Sequence, residues 1–207
     1  MLDHILLGCS DLERGIDFVK QRTGVLAAPG GVHPGRGTQN ALLSIGTRRY
    51  LEIIAPDPEQ KTDDPFAKKL KGMSEPRLVN WAAHTDNIAA LAGKLKAAGI
   101  GADGPHRGSR KRPDGKTLQW QTLGLKDDSG GLLPFFIEWS ANSPHPSLDA
   151  PAGAKLLAFE IVTPRADALM KFCSQAGLEV HVVQGHAPQL RATITGTMGG
   201  SPLTISS

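Results

Sequence analysis

Cysteine is almost absent from this sequence, and its scarcity removes two large classes of protein. Cys9 and Cys173 are the only cysteines in 207 residues. They are too distant to form a CxxC motif and too few for a disulfide framework, so both read as reduced, buried small hydrophobes. Long apolar runs are missing too, since none approaches the roughly 20 residues of a membrane span. The opening stretch from Met1 to Gly15 has no basic n-region and carries acids where a signal peptide would be cleaved. The cytoplasm is therefore the expected location. Gly30 to Thr38 is glycine-rich but has no GK[ST] ending and leads into no helix, which argues against a phosphate cradle and a nucleotide cofactor. Charge and aromatics are sparse as well, with a formal net charge of +3 and 5% aromatic residues. Nucleic acid is a poor partner for such a surface. What remains is a chain with 40% hydrophobic residues, long enough to bury a substantial core and suited to a small-molecule partner.

The order of local signals repeats. Leu2 to Cys9 has the length of a strand, Ser10 to Glu13 has the form of a capping box, and Leu12, Ile16 and Val19 recur at helical spacing before Thr23-Gly24 ends the helix. Strands are expected over Val25 to Ala28, Asn40 to Ile45 and Arg49 to Ala55, with a loop from Pro29 to Thr38. A proline-marked connector from Pro56 to Pro76, with a short helix around Phe66 to Leu70, leads to a second copy. Its strand is Leu78 to Ala83, its helix is capped by Thr85 or Asp86 and ended by Gly99, and its later strands are Thr117 to Leu125 and Leu132 to Ser140. After a linker from Asn142 to Gly153 with three prolines, a shorter third copy runs to the end of the chain.

The fold class expected is α+β: tandem βαβββ modules at 1–56 and 77–141 forming a curved mixed sheet or half-barrel with helices outside, within a domain spanning 1–146. A third, degenerate βαβββ unit at 154–207 would pack on an edge or pair with another chain, so a homodimer is expected.

The last strand of each module carries one glutamate in apolar company: Glu52 between Tyr50 and Ile54, and Glu138 two residues after Phe136. Alone, each reads as an exposed strand residue; at matching places in two repeats they suggest a shared site. His4 on the first strand can meet Glu52 on the fourth inside the cup. His4, Glu52 and Glu138 would then offer a nitrogen and two oxygens to a divalent metal such as Mn, Fe, Ni or Zn, with positions left open. In this register the second-module counterpart of His4 is Val79. His84 lies opposite Cys9 and would need a bulge to turn inward as an additional ligand; His33 or His106 could instead reach over from a loop. Arg36, Asn40 and Trp120 are candidate substrate contacts at the mouth. The basic stretch from His106 to Arg112 reads as a solvated loop or as a contact for an anionic small molecule.

These residues carry a resemblance. The segments Leu2 to Gly8, Arg49 to Pro56 and Pro134 to Trp139 look like the vicinal oxygen chelate superfamily, and the stretches Gly31 to Asn40 and Trp81 to Thr85 resemble its glyoxalase-like domain branch. The resemblance covers about residues 1 to 146. It implies a metal in the cup of many relatives and a metal-dependent lyase or isomerase acting on an oxygen-rich carbonyl or hydroxy-carbonyl substrate, with Glu138 or Glu52 moving a proton. Two other readings stand beside it: a metal-free protein that binds or sequesters a small ligand on the same scaffold, and a structural protein that assembles through its third unit.

Overall fold

The structure, a computed structural model, describes residues 1–112, 114–196 and 202–207. The first module consists of β1 (Leu2–Gly8), α1 (Leu12–Thr23), β2 (Ala28–His33), β3 (Thr38–Gly46) and β4 (Arg49–Pro56). After α2 (Pro65–Lys71), the second comprises β5 (Arg77–His84), α3 (Ile88–Ala97), β6 (Ala102–Lys111), β7 (Thr117–Leu125) and β8 (Phe135–Trp139). In both, the first strand pairs in parallel with the fourth. The antiparallel β1–β5 pair joins the modules into one eight-stranded sheet of order β2-β3-β4-β1-β5-β8-β7-β6. This is the curled half-barrel that the repeat implies.

The helices form where the sequence places their stripes, although the caps shift. Asp11, not Ser10, caps α1, its carboxylate accepting from the Arg14 N–H at 2.9 Å, and Gly24 ends that helix with φ 73°. A left-handed residue at this point is cheapest as glycine. Asn87 caps α3 in place of Thr85 or Asp86. The α1 stripe, Ile16 and Val19, is buried with Leu43, Leu51 and Ile53 on the convex face of the sheet.

Two segments expected as loops are strands. Pro29 to His33 belongs to β2, and His106 to Lys111 lies in β6, the strand at the far edge of the sheet. Pro and Gly in both segments sit in edge strands, where a missing donor costs no ladder bond.

The third unit has the element order expected, with β9 (Lys155–Thr163), α4 (Ala166–Gln175), β10 (His181–Gln184), β11 (Gln189–Thr195) and β12 (Leu203–Ser206). Its strands pair differently, in the order β10-β9-β11-β12. Ile161, Leu190, Ala192, Ile194, Leu203 and Ile205 join the same core as Ile5, Trp81 and Ala83, and β11 and β12 lie against β5. This small sheet therefore covers the convex face of the large one and leaves the concave face free.

Candidate functional site

The concave face encloses a cavity of about 620 Å³. One wall comes from the first module, with His4, Asn40, Tyr50 and Glu52; the other comes from the second, with Trp120, Phe135, Ile137 and Trp139. Strand alternation explains the membership, since residues two apart share a face.

Alternation alone would turn Asp3 away from this cavity. The β1–β5 register shifts between Leu2 and His4, however, and this irregularity lets Asp3 turn toward the same network as His4. Its carboxylate receives His4 Nδ1 at 2.7 Å, His145 Nε2 at 3.2 Å and the Trp139 indole N–H at 3.1 Å. Burial by itself would raise the Asp3 carboxyl, but the hydrogen bonds from His145 and His4, with the electrostatic pull of the two rings, hold it well below the usual carboxylate range. Asp3 is thus a carboxylate at neutral pH, and it assigns the His4 proton to Nδ1. His4 Nε2 is left to face Glu52 Oε2 at 3.5 Å. The imidazole stacks on Tyr50 with centroids 4.4 Å apart. Burial first, then the charges of Glu52 and Asp3, push the Tyr50 hydroxyl well above its ordinary pKa, so it remains neutral.

His145 arrives from the linker. Its Nδ1 accepts from the Ser147 backbone N–H at 3.2 Å, which leaves Nε2 to donate to Asp3. Its ring packs edge-on against Tyr50 and Trp139.

Glu52 is held from its other oxygen. Asn40 Nδ2 donates to Glu52 Oε1 at 2.6 Å, and Arg110 Nη1 donates to Asn40 Oδ1 at 2.8 Å. Arg110 comes from β6 at the opposite edge of the sheet and crosses to β2 and β3. Gly30 makes this crossing possible, because a Cβ there would stand 2.0 Å from Arg110 Nη1 and 2.3 Å from Asn40 Oδ1. His33 Nε2 lies 3.8 Å from Glu52 Oε1 and 3.4 Å from the Asn40 amide. Burial, with help from the Arg110 and Arg36 charges, lowers the His33 pKa against the pull of Glu52.

Glu138 is not in the cup. On β8 the inward residues are Phe135, Ile137 and Trp139, so Glu138 points to the helix side, where its Oε2 accepts from the Ile88 N–H at 2.7 Å. It satisfies one of the orphan donors at the start of α3. His84 is turned aside as well: Nε2 meets Asp86 at 2.8 Å, and Nδ1 lies 3.8 Å from Asp3. Val79 packs with Leu6, Ile54, Leu70 and Met73. The expected mouth residues Arg36, Asn40 and Trp120 all line the cavity, with Arg36 Nε 3.3 Å from Asp64 and Asn40 buried as the anchor of Glu52.

A divalent ion would find His4 and Glu52 as suitable donors, while the nearest further donor among the described residues, His33, is engaged with Thr38 through Nδ1 and faces the Asn40 amide through Nε2. Among the described residues no group of three or more His, Cys, Asp or Glu side chains is arranged to hold a metal. Asn40 occupies the side of Glu52 that faces His33. The donor set does not fit the metal that the resemblance implies. Asp3 and His145 were not among the sequence candidates, and Arg110 entered only as one residue of the basic stretch from His106 to Arg112. The only signal for Arg110 was the charge of that stretch, which suggests an anionic contact but does not single it out from Arg107 or Arg112. His145 sits in a proline-rich linker and had none.

Paired βαβββ modules around a concave site define the vicinal oxygen chelate fold. The sequence matches the model of the glyoxalase-like domain over residues 2–177, and the chain belongs to that family. The match runs past the two modules through β9 and α4. No curated protein matches the chain. Among solved structures, a hypothetical protein from Staphylococcus aureus is 17% identical, with a TM-score of 0.66 over 90% of this chain and 86% of that one. Methylmalonyl-CoA epimerase from Mycobacterium tuberculosis is 20% identical, with a TM-score of 0.50 over 71% and 89% of the two chains. A variant of the Streptomyces coelicolor methylmalonyl-CoA epimerase in complex with 2-nitronate-propionyl-CoA is 22% identical, with a TM-score of 0.51 over 68% and 97%. At these identities the likeness is one of fold.

Proposed function

We propose that the protein is a lyase or isomerase that moves a proton on the carbon beside a carbonyl, and that its own side chains do this without a metal. The observation that carries the reading is the Asp3–His4–Glu52 array on the concave face, in which Nε2 and Oε2 stand 3.5 Å apart. Glu52, with Oε1 tied to Asn40, takes the proton on Oε2. His4 Nε2 accepts it from there and returns it, and Asp3 stabilises the imidazolium that forms. Tyr50 and Phe135 keep the imidazole in place from two sides. A second reading, a protein that holds its ligand without reacting, is favoured by the apolar wall of Phe135, Ile137 and Trp139.

Proton NMR in D₂O separates the two. Protein stripped of metal on a chelating resin is incubated with a panel of 2-oxo acids, hydroxyketones and acyl thioesters. At least one should incorporate deuterium beside its carbonyl, and Glu52→Gln should slow this about 100-fold or more. Binding without exchange supports the second reading. Exchange that needs added metal, or that survives Glu52→Gln, overturns the first.

A further inference from the structure

We infer that Arg110 is the cation on which the cup receives its ligand, and that the ligand is a carboxylate with an apolar tail, a 2-oxo acid being the simplest form. Arg110 lines the cavity and is only 4% exposed. Among the described residues, its one side-chain hydrogen bond goes to the neutral amide oxygen of Asn40, and it is absent from the ion pairs they form. The nearest balancing charge, Glu52, stands one amide away along the chain Arg110–Asn40–Glu52. A buried guanidinium cannot shed its proton, and leaving it without a charged acceptor is costly. Its planar fork suits one group above others, a carboxylate bound through two parallel hydrogen bonds.

The rest of the cavity describes the tail. The same cavity is lined by Phe135, Ile137, Trp139 and Trp120, which offer surface to an apolar or aromatic substituent. The volume of about 620 Å³ suits such a ligand better than a two-carbon acid. Because Asn40 ties Arg110 to Glu52 through bonds of 2.8 and 2.6 Å, a carboxylate on Arg110 is anchored close to the proposed base. The assignment of substrate class rests on the proton-transfer reading; the anion site itself does not.

The test is calorimetric titration of the metal-stripped protein with phenylpyruvate and with its neutral methyl ester. The acid should bind at one site per chain and the ester at least about tenfold more weakly. Arg110→Gln should lower affinity for the acid by about tenfold or more and leave the ester unchanged. Gly30→Ala reaches the same side chain by another route, since its methyl group displaces the guanidinium, and it should act in the same direction. Arg22→Gln, which removes a cation stacked on Phe18 of α1, should change nothing. Failure of the acid to bind, equal affinity for acid and ester, or full affinity in Arg110→Gln would overturn the assignment. No turnover enters the titration, so it stands if deuterium exchange fails. If exchange occurs while affinity ignores Arg110, only this assignment falls.

Discussion

The two walls of the cup share a strand order but differ in chemistry. The β1–β4 wall holds His4, Tyr50 and Glu52, backed by Asp3 and Asn40, whereas the β5–β8 wall offers Asn80, Phe135, Ile137 and Trp139. A fold of this kind needs only that apolar residues alternate on each strand, and both modules meet that condition. A site needs more, namely that a particular side chain fall on the inward phase. Glu52 is in phase and Glu138 is one residue out of phase, and on a strand that single step moves a carboxylate from the cavity to the helix side.

The largest effect expected from breaking this asymmetry is at Glu52. Glu52→Gln should lower exchange by a factor on the order of 100 to 10,000 while changing unfolding free energy by less than about 1 kcal/mol, because the amide still accepts from Asn40. Next comes the attempt to abolish the asymmetry. The Phe135 ring lies 5.6 Å from His4 and Asn80 lines the cup, so Asn80→His combined with Phe135→Glu should create stoichiometric zinc binding that the wild type should not show. Elemental analysis after dialysis reads the result, and an empty double variant would show that the walls differ in more than these residues.

Asp3→Asn should cost about 2 to 3 kcal/mol of stability, since His4, His145 and Trp139 lose an ionised acceptor; urea unfolding measures it. The pH dependence has a definite sign. A carboxylate whose folded pKa is depressed contributes stability that is full above its unfolded value of about 3.9 and is lost as pH falls toward the folded one. Below about pH 4 the wild type should therefore lose stability more steeply than Asp3→Asn, and parallel acid titrations would contradict the assignment of charge. The smallest effect is at Glu138. Glu138→Gln should destabilise by about 0.5 to 1 kcal/mol and leave exchange within a factor of about two, as befits a residue that serves the start of α3.

The repeat, the order of elements and the glycine ends of the helices were legible because they depend on period and on local backbone chemistry. The position of Glu52 was legible for the same reason. The phase of Glu138 was not, since the register of β8 is set by its pairing with β5 and β7 and not by its own residues. Asp3 escaped because a shift in the β1–β5 ladder, invisible in β1 itself, turns it inward. The basic stretch read as a loop because Pro105 and Gly108 are turn residues in isolation; at a sheet edge they are tolerated, and Gly108 makes room for the Trp120 indole on the neighbouring strand. The strand order of the third unit depends on which face the large sheet leaves uncovered, a property of the assembled molecule.

The linker between the second and third units has a double role. Ser44 donates to the Pro151 carbonyl, fixing the strap to β3, and His145 reaches from that strap to Asp3. A chain ended after Trp139 would keep every strand of the cup and still lose the imidazole that helps hold Asp3 ionised. Possessing every strand of the cup is therefore not the same as possessing the array, and His145→Ala should weaken the array while the core shared by the two sheets stays whole.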